Sequence, residues 1–199
     1  MENSPESVFQ SELLKDEKIH WTGQPDSSSI FSPADWFMVP FSLMWGGFAI
    51  FWESTVLGLN PFLDTSKHRP PVFFALWGVP FVCIGLYMIF GRFFYKAWKR
   101  KRTYYAVTNQ RVLQVAVTGR VQIQALFLNQ TAAINKYVRS DGSGTLTFGN
   151  TGYYPFSYYA NSGMDFLGSR YSQGIFAFYD IPEVDGVYRL VNQLRNPTT

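Results

Sequence analysis

Six basic side chains fall within eleven residues: Arg92, Lys96, Lys99, Arg100, Lys101 and Arg102. No acid stands among them, and none occurs anywhere from Thr65 to Ser140. Ammonium and guanidinium groups at this density bind anions, phosphates above all. Three readings compete for them. Bases that follow an apolar run set the face on which a chain leaves a membrane. The same bases attract anionic lipid headgroups, each contributing roughly 1 kcal/mol near such a leaflet. Nucleic acid is the third reading. It is the weakest, because the cluster adjoins an apolar run of bilayer length and no base-reading motif follows.

A second set of residues is aromatic. Tyr153, Tyr154, Phe156, Tyr158, Tyr159, Phe166 and Tyr171 lie in a segment, 150–173, that is otherwise rich in Ser, Gly and Asn. A connection this long is unusual between two strands. Its rings either cover their own sheet or form a contact surface, since rigid amphipathic Tyr contributes disproportionately to interfaces. They are the expected partner-contact residues.

Catalytic and metal chemistry find little support. His20 and His68 are far apart, and no Cys/His set has metal-ligand spacing. Cys83, the one cysteine, has no polar neighbour to activate it. Asp141 belongs to a turn, and Asp180, Glu183 and Asp185 to a helix start, where capping and dipole roles account for them. The Gly-Ser-Gly at 142–144 lacks the strand-to-helix setting of a nucleotide loop. The glycosylation triplet at Asn129 falls on the expected cytoplasmic side. No enzyme activity, cofactor or metal is expected.

The elements that position these groups begin with two uncharged apolar runs, Trp36–Trp52 and Val72–Gly91. A bilayer core of about 30 Å needs roughly 20 helical residues, so both read as transmembrane helices, 34–54 and 72–91. Trp36, Trp52, Trp77 and Trp98 suit interfacial anchors, with Trp45 mid-run. Two crossings place residues 1–33 and everything after residue 91 on one side. The basic residues there outnumber Lys67 and Arg69 of the 55–71 loop, so both termini are expected in the cytoplasm. Charged residues are scarce, 16% of the chain, and unevenly placed: the first 35 residues are acidic and 92–139 basic.

From Thr103 the texture is β. Strands are expected either side of a tight turn at Asn109-Gln110 and again after Gly119. Val121, Ile123, Ala125 and Phe127 alternate with Gln122, Gln124, Leu126 and Leu128, so that one face points inward. Further strands follow in 132–140, 145–149 and 174–181, with a glycine turn at 141–144. Val184, Val187, Tyr188, Val191 and Leu194 then mark one stripe of a closing helix, with Pro182 in its first turn.

Three segments carry a resemblance: Glu17–Pro25 (EKIHWTGQP), Tyr104–Val115 (YYAVTNQRVLQV) and Gly174–Val191 (GIFAFYDIPEVDGVYRLV). Together the chain resembles bacterial membrane-anchored proteins of the pleckstrin-homology (PH) superfold. The resemblance implies an α+β membrane protein: two transmembrane helices in a hairpin, a basic stem at 92–102, and a cytoplasmic PH-like β-barrel or sandwich at 103–199 capped by a C-terminal helix. A further strand is expected within 17–25. The implied location is the bacterial inner membrane. The function so expected is a non-enzymatic interaction module, an accessory or scaffolding subunit of a membrane complex that meets a protein partner or another copy of itself. The alternative is sensing of anionic headgroups by the six stem residues. Close helix approach at Gly46-Gly47, Gly78 and Gly85 is consistent with either.

Overall fold

The structure is a computed structural model and describes residues 5–26, 31–32, 35–60, 62, 71–131, 133–149, 161–164 and 176–196. The chain divides into two units. One is built from residues 1–30 together with 96–199, the other from residues 31–95.

The first unit is mixed α+β. A short helix α1 (Pro5–Gln10) precedes strand β1 (Ile19–Gly23). Strands β2 (Thr103–Thr108), β3 (Arg111–Val117) and β4 (Val121–Phe127) complete an antiparallel sheet in the order β1-β2-β3-β4. Strands β5 (Ile134–Val138), β6 (Gly144–Phe148) and β7 (Phe176–Ile181) form a second antiparallel sheet in sequence order. The terminal helix, here α5 (Val184–Arg195), closes the unit. It starts after Pro182, with Glu183 at the N-cap rather than Pro182 in the first turn.

The central strands are buried on both faces because β2 and β3 serve two cores. On one face Tyr105, Val107 and Val112 pack with Leu146, Phe148, Phe178, Ile181 and the α5 stripe Val184, Val187, Val191. Tyr105 and Phe178 stack with centroids 4.5 Å apart. On the other face Ala106, Leu113 and Val115 lie under Phe9 of α1. Gly144 permits the tight β5–β6 pairing, since a Cβ there would lie 2.1 Å from the Tyr137 carbonyl oxygen.

The alternation in strand β4 leaves open which of its two faces turns inward. Its register with β3 is regular from Arg111↔Phe127 to Val117↔Val121. That register puts Val121, Ile123, Ala125 and Phe127 on the Leu113/Val115 face, beyond the cover of α1, and all four are exposed. The apolar positions of β4 therefore point outward, and Leu126 is the residue that packs against the main core.

The expected fold needs correction in two places. Among the described residues the strands form two separate sheets, with no closed barrel. A 3-10 turn at Leu128–Gln130 separates β4 from β5, and no ladder joins them. Secondly, the expected pair of transmembrane helices is not found. Among the described residues one helix is long and apolar enough to cross a bilayer, Val72–Arg100. The other, α2 (Asp35–Val56), carries Asp35, Pro40, Ser42, Gly46, Gly47 and Glu53 along its length, which lowers its apolar character. The orientation argued from two crossings loses its premise with them.

In the second unit α2 packs along α3 (Val72–Leu86), which continues through a π turn at Tyr87–Gly91 into α4 (Arg92–Arg100). The interface is made of small and polar groups. Asp35, Met38, Ser42, Gly46, Ala49 and Glu53 of α2 are buried, as are Gly78 and Gly85 of α3. The glycines are sterically required at the crossing: a Cβ on Gly85 would lie 2.8 Å from the Gly46 Cα. The outer surface is aromatic and aliphatic, with Trp36, Phe37, Met44, Phe48, Phe73, Leu76 and Trp77 all exposed.

Candidate functional site

The basic stem is helical, and helical periodicity sorts its six side chains. Arg92, Lys96 and Arg100 recur every four residues and share a face. All three are buried. Phe90, Phe94 and Trp98 recur at the same interval on another face and are exposed. Lys99 is half-buried, and Lys101 and Arg102 follow the last helical turn in the open. Of the six expected headgroup contacts, two therefore stand fully at the surface.

Each buried arginine meets an acid. Arg92 is fully enclosed, and its Nη1 donates to Asp35 Oδ1 at 2.5 Å. Its guanidinium lies 4.4 Å from the Phe93 ring centre. Its Nε and Nη2 have no hydrogen-bond partner among the described residues. Arg100 pairs with Asp180 and donates through Nη1 to the Asp26 carbonyl at 3.1 Å.

Asp180 gathers more than one cation. Arg139 Nη2 donates to its Oδ1 at 2.5 Å, and Asn161 Nδ2 to its Oδ2 at 2.8 Å. Its backbone N–H reaches Thr145 Oγ1 at 3.3 Å, and its carbonyl accepts from Asp26 N–H at 2.6 Å. Asp180 thus joins β7, within the first unit, to the residues after β1, to Arg100 and to the β5–β6 turn. The sequence reading of this residue as part of a helix start is corrected: Asp180 is a buried ionic hub. One signal for it was available, because bases crowded into a stretch without acids must pair with acids elsewhere.

A parallel network joins the N-terminal segment to the β2–β3 turn. Arg111 donates through Nε and Nη2 to the two carboxylate oxygens of Glu17, at 2.9 and 3.0 Å. Thr108 Oγ1 donates to Glu17 Oε1 at 2.7 Å, and Asn109 Oδ1 accepts from Lys18 N–H at 2.8 Å. Burial pushes the Glu17 carboxyl up, but Arg111, the Leu14 N–H and Thr108 outweigh it and hold it below its ordinary range. The Tyr105 phenol, enclosed in the core, is pushed well above its ordinary range by burial. Its oxygen accepts the Tyr179 N–H at 3.1 Å.

At the end of the stem the Arg102 guanidinium stands 4.6 Å above the Trp98 ring. Such stacking is worth roughly 0.5–1 kcal/mol at exposed sites. Lys101 is beside it in sequence. The expected partner-contact residues Tyr153, Tyr154, Phe156, Tyr158, Tyr159, Phe166 and Tyr171 lie outside the described residues, as does His68. Cys83 is an exposed free thiol on α3. Among the described residues no group of three or more His, Cys, Asp or Glu side chains gathers as a metal site would.

No family model matches this chain, and neither a curated protein nor a solved structure does.

Proposed function

We propose that this chain is a membrane-associated, non-catalytic interaction protein, in which the apolar helix that begins at Val72 meets the bilayer and the α+β unit meets other proteins. The observation that carries the reading is the polarity of the helical unit. Asp35 and Arg92 are buried against each other, while Trp36, Phe37, Phe48, Phe73 and Trp77 face outward. In water this arrangement exposes large rings at full hydration cost. Lipid reverses the preference: ionisable side chains turn inward and pair, and apolar ones turn out. The helix Val72–Arg100, about 43 Å long at 1.5 Å per residue, is the element that enters the bilayer. The role that fits is an accessory or scaffolding subunit of a membrane complex, with the 150–173 aromatics as its contact surface.

The test is fractionation of the full chain. It is expected to stay with membranes through an alkaline carbonate wash and to need detergent for release. A chain that remains dissolved and monodisperse with no amphiphile present overturns the reading. Co-purification in mild detergent, compared with a chain lacking 152–172, then tests the partner surface.

A second reading, binding of anionic headgroups, is favoured by Lys101 and Arg102, exposed next to Trp98 at the end of the apolar helix. Two bases near an anionic leaflet supply roughly 2 kcal/mol. The full chain in nanodiscs of mixed lipid is expected to retain anionic lipid preferentially, and K101Q/R102Q to lose that preference. Equal retention by both proteins removes this reading.

A further inference from the structure

We propose that β4 is a self-association edge, and that two copies of this chain pair their β4 strands antiparallel about a dyad at Gln124.

Among the described residues strand β4 ends the first sheet, and every residue of it but Leu126 is exposed. Edge strands of natural sheets are usually protected by charge, proline, a bulge or brevity. β4 has none of these. It runs seven residues in unbroken register with β3. No charge occurs from Val121 to Thr131, and no proline. A strand so presented is a template for another strand.

The occupant follows from its own sequence. An antiparallel pair of identical strands has one residue opposite itself. With Gln124 there, Ile123 faces Ala125 of the second copy and Val121 faces Phe127, so apolar residues meet across the ladder on the exposed face. On the other face Gln124 meets Gln124, and Gln122 meets Leu126. Charge is compatible as well: this register sends Arg120 of each copy to opposite ends of the ladder, away from its mate. Pairing would join two four-stranded sheets into one of eight strands. The contact is short, below the roughly 1,200 Å² of a stable soluble dimer, so it forms between copies already concentrated, and trapping is the proper readout.

Single cysteines in a C83A full chain, held in detergent micelles or proteoliposomes, test the register. Opposed residues of an antiparallel pair have Cα atoms about 4.5–5.5 Å apart, within disulfide reach. Q124C is expected to form a covalent dimer on mild oxidation at least ~10-fold faster than Q122C. Gln122 shares its face and exposure, but its two copies would stand about 14 Å apart at 3.4 Å per residue. Adding I123K to Q124C is expected to suppress the crosslink. Equal rates for Q122C and Q124C, or faster linkage of Q122C, overturn the dyad. A chain in which neither links above the rate of Y137C, an exposed position on β5, overturns self-association through β4. It would leave lipid or another segment of the same chain as the occupant of that face.

Discussion

Asp180 holds a left-handed backbone, φ 51°, and receives two arginines. Asn tolerates that backbone nearly as well as Asp, so D180N removes the charge and leaves the backbone of β7 as it is. Arg100 would then be a buried cation without its carboxylate. Loss of about 3 kcal/mol in unfolding free energy is expected, measured by denaturant titration with near-UV circular dichroism in detergent. R139Q should cost less, because Arg139 is a third exposed and water can replace the bond. Glu17 makes a pH-dependent counterpart. Its carboxyl is held below the ordinary value in the folded chain, so its stabilisation is complete above about pH 4.3 and is lost as the pH falls through the lower folded value. The stability gap between wild type and E17Q is therefore expected at neutral pH and should close in acid. A gap that stays constant from pH 7 to 3 contradicts the Arg111–Glu17 assignment.

At the scale of the element, the close pass of α2 and α3 is decided by Gly46 and Gly85. G85A puts a methyl into the Gly46 backbone and is expected to destabilise the helical unit by about 1–3 kcal/mol. G47A, one residue away, meets open space. It should be neutral or stabilising by up to about 1 kcal/mol from helix propensity. Thermal unfolding in detergent separates the two; equal effects would refute the crossing point. The strands β2 to β7 and α5 were legible because alternation and turn glycines are local signals. The facing of β4 was not, because alternation gives two faces and only the position of α1 decides which is covered. α1 itself, six residues long, has too little periodicity to announce a helix. The stem misled for a related reason. Counting its charges suggested a headgroup patch, while their spacing of four, opposite Phe90, Phe94 and Trp98, already implied one common face. What turned that face inward was Asp35 and Asp180, far away in sequence.

For the whole molecule, the informative division is that the α+β unit is assembled from both sides of residues 31–95. β1 supplies the outer strand against β2, and Phe9 seals the second core. Residues 96–199 made alone would expose Ala106, Leu113 and Val115 and leave the β2 edge open. They are expected to aggregate, and co-expression with residues 1–30 should restore a soluble product with native near-UV dichroism. A monodisperse, well-packed 96–199 fragment would show that the N-terminal segment is dispensable. Gly23 pairs with Tyr105, and Ile19 with Thr108. On a ribosome adding about 5–20 residues per second, the nascent N-terminal strand is finished several seconds before its mate is translated, with all of residues 31–95 made in between. During that interval it has no sheet to join, which makes it the natural station for a chaperone or for premature entanglement with a neighbouring nascent chain.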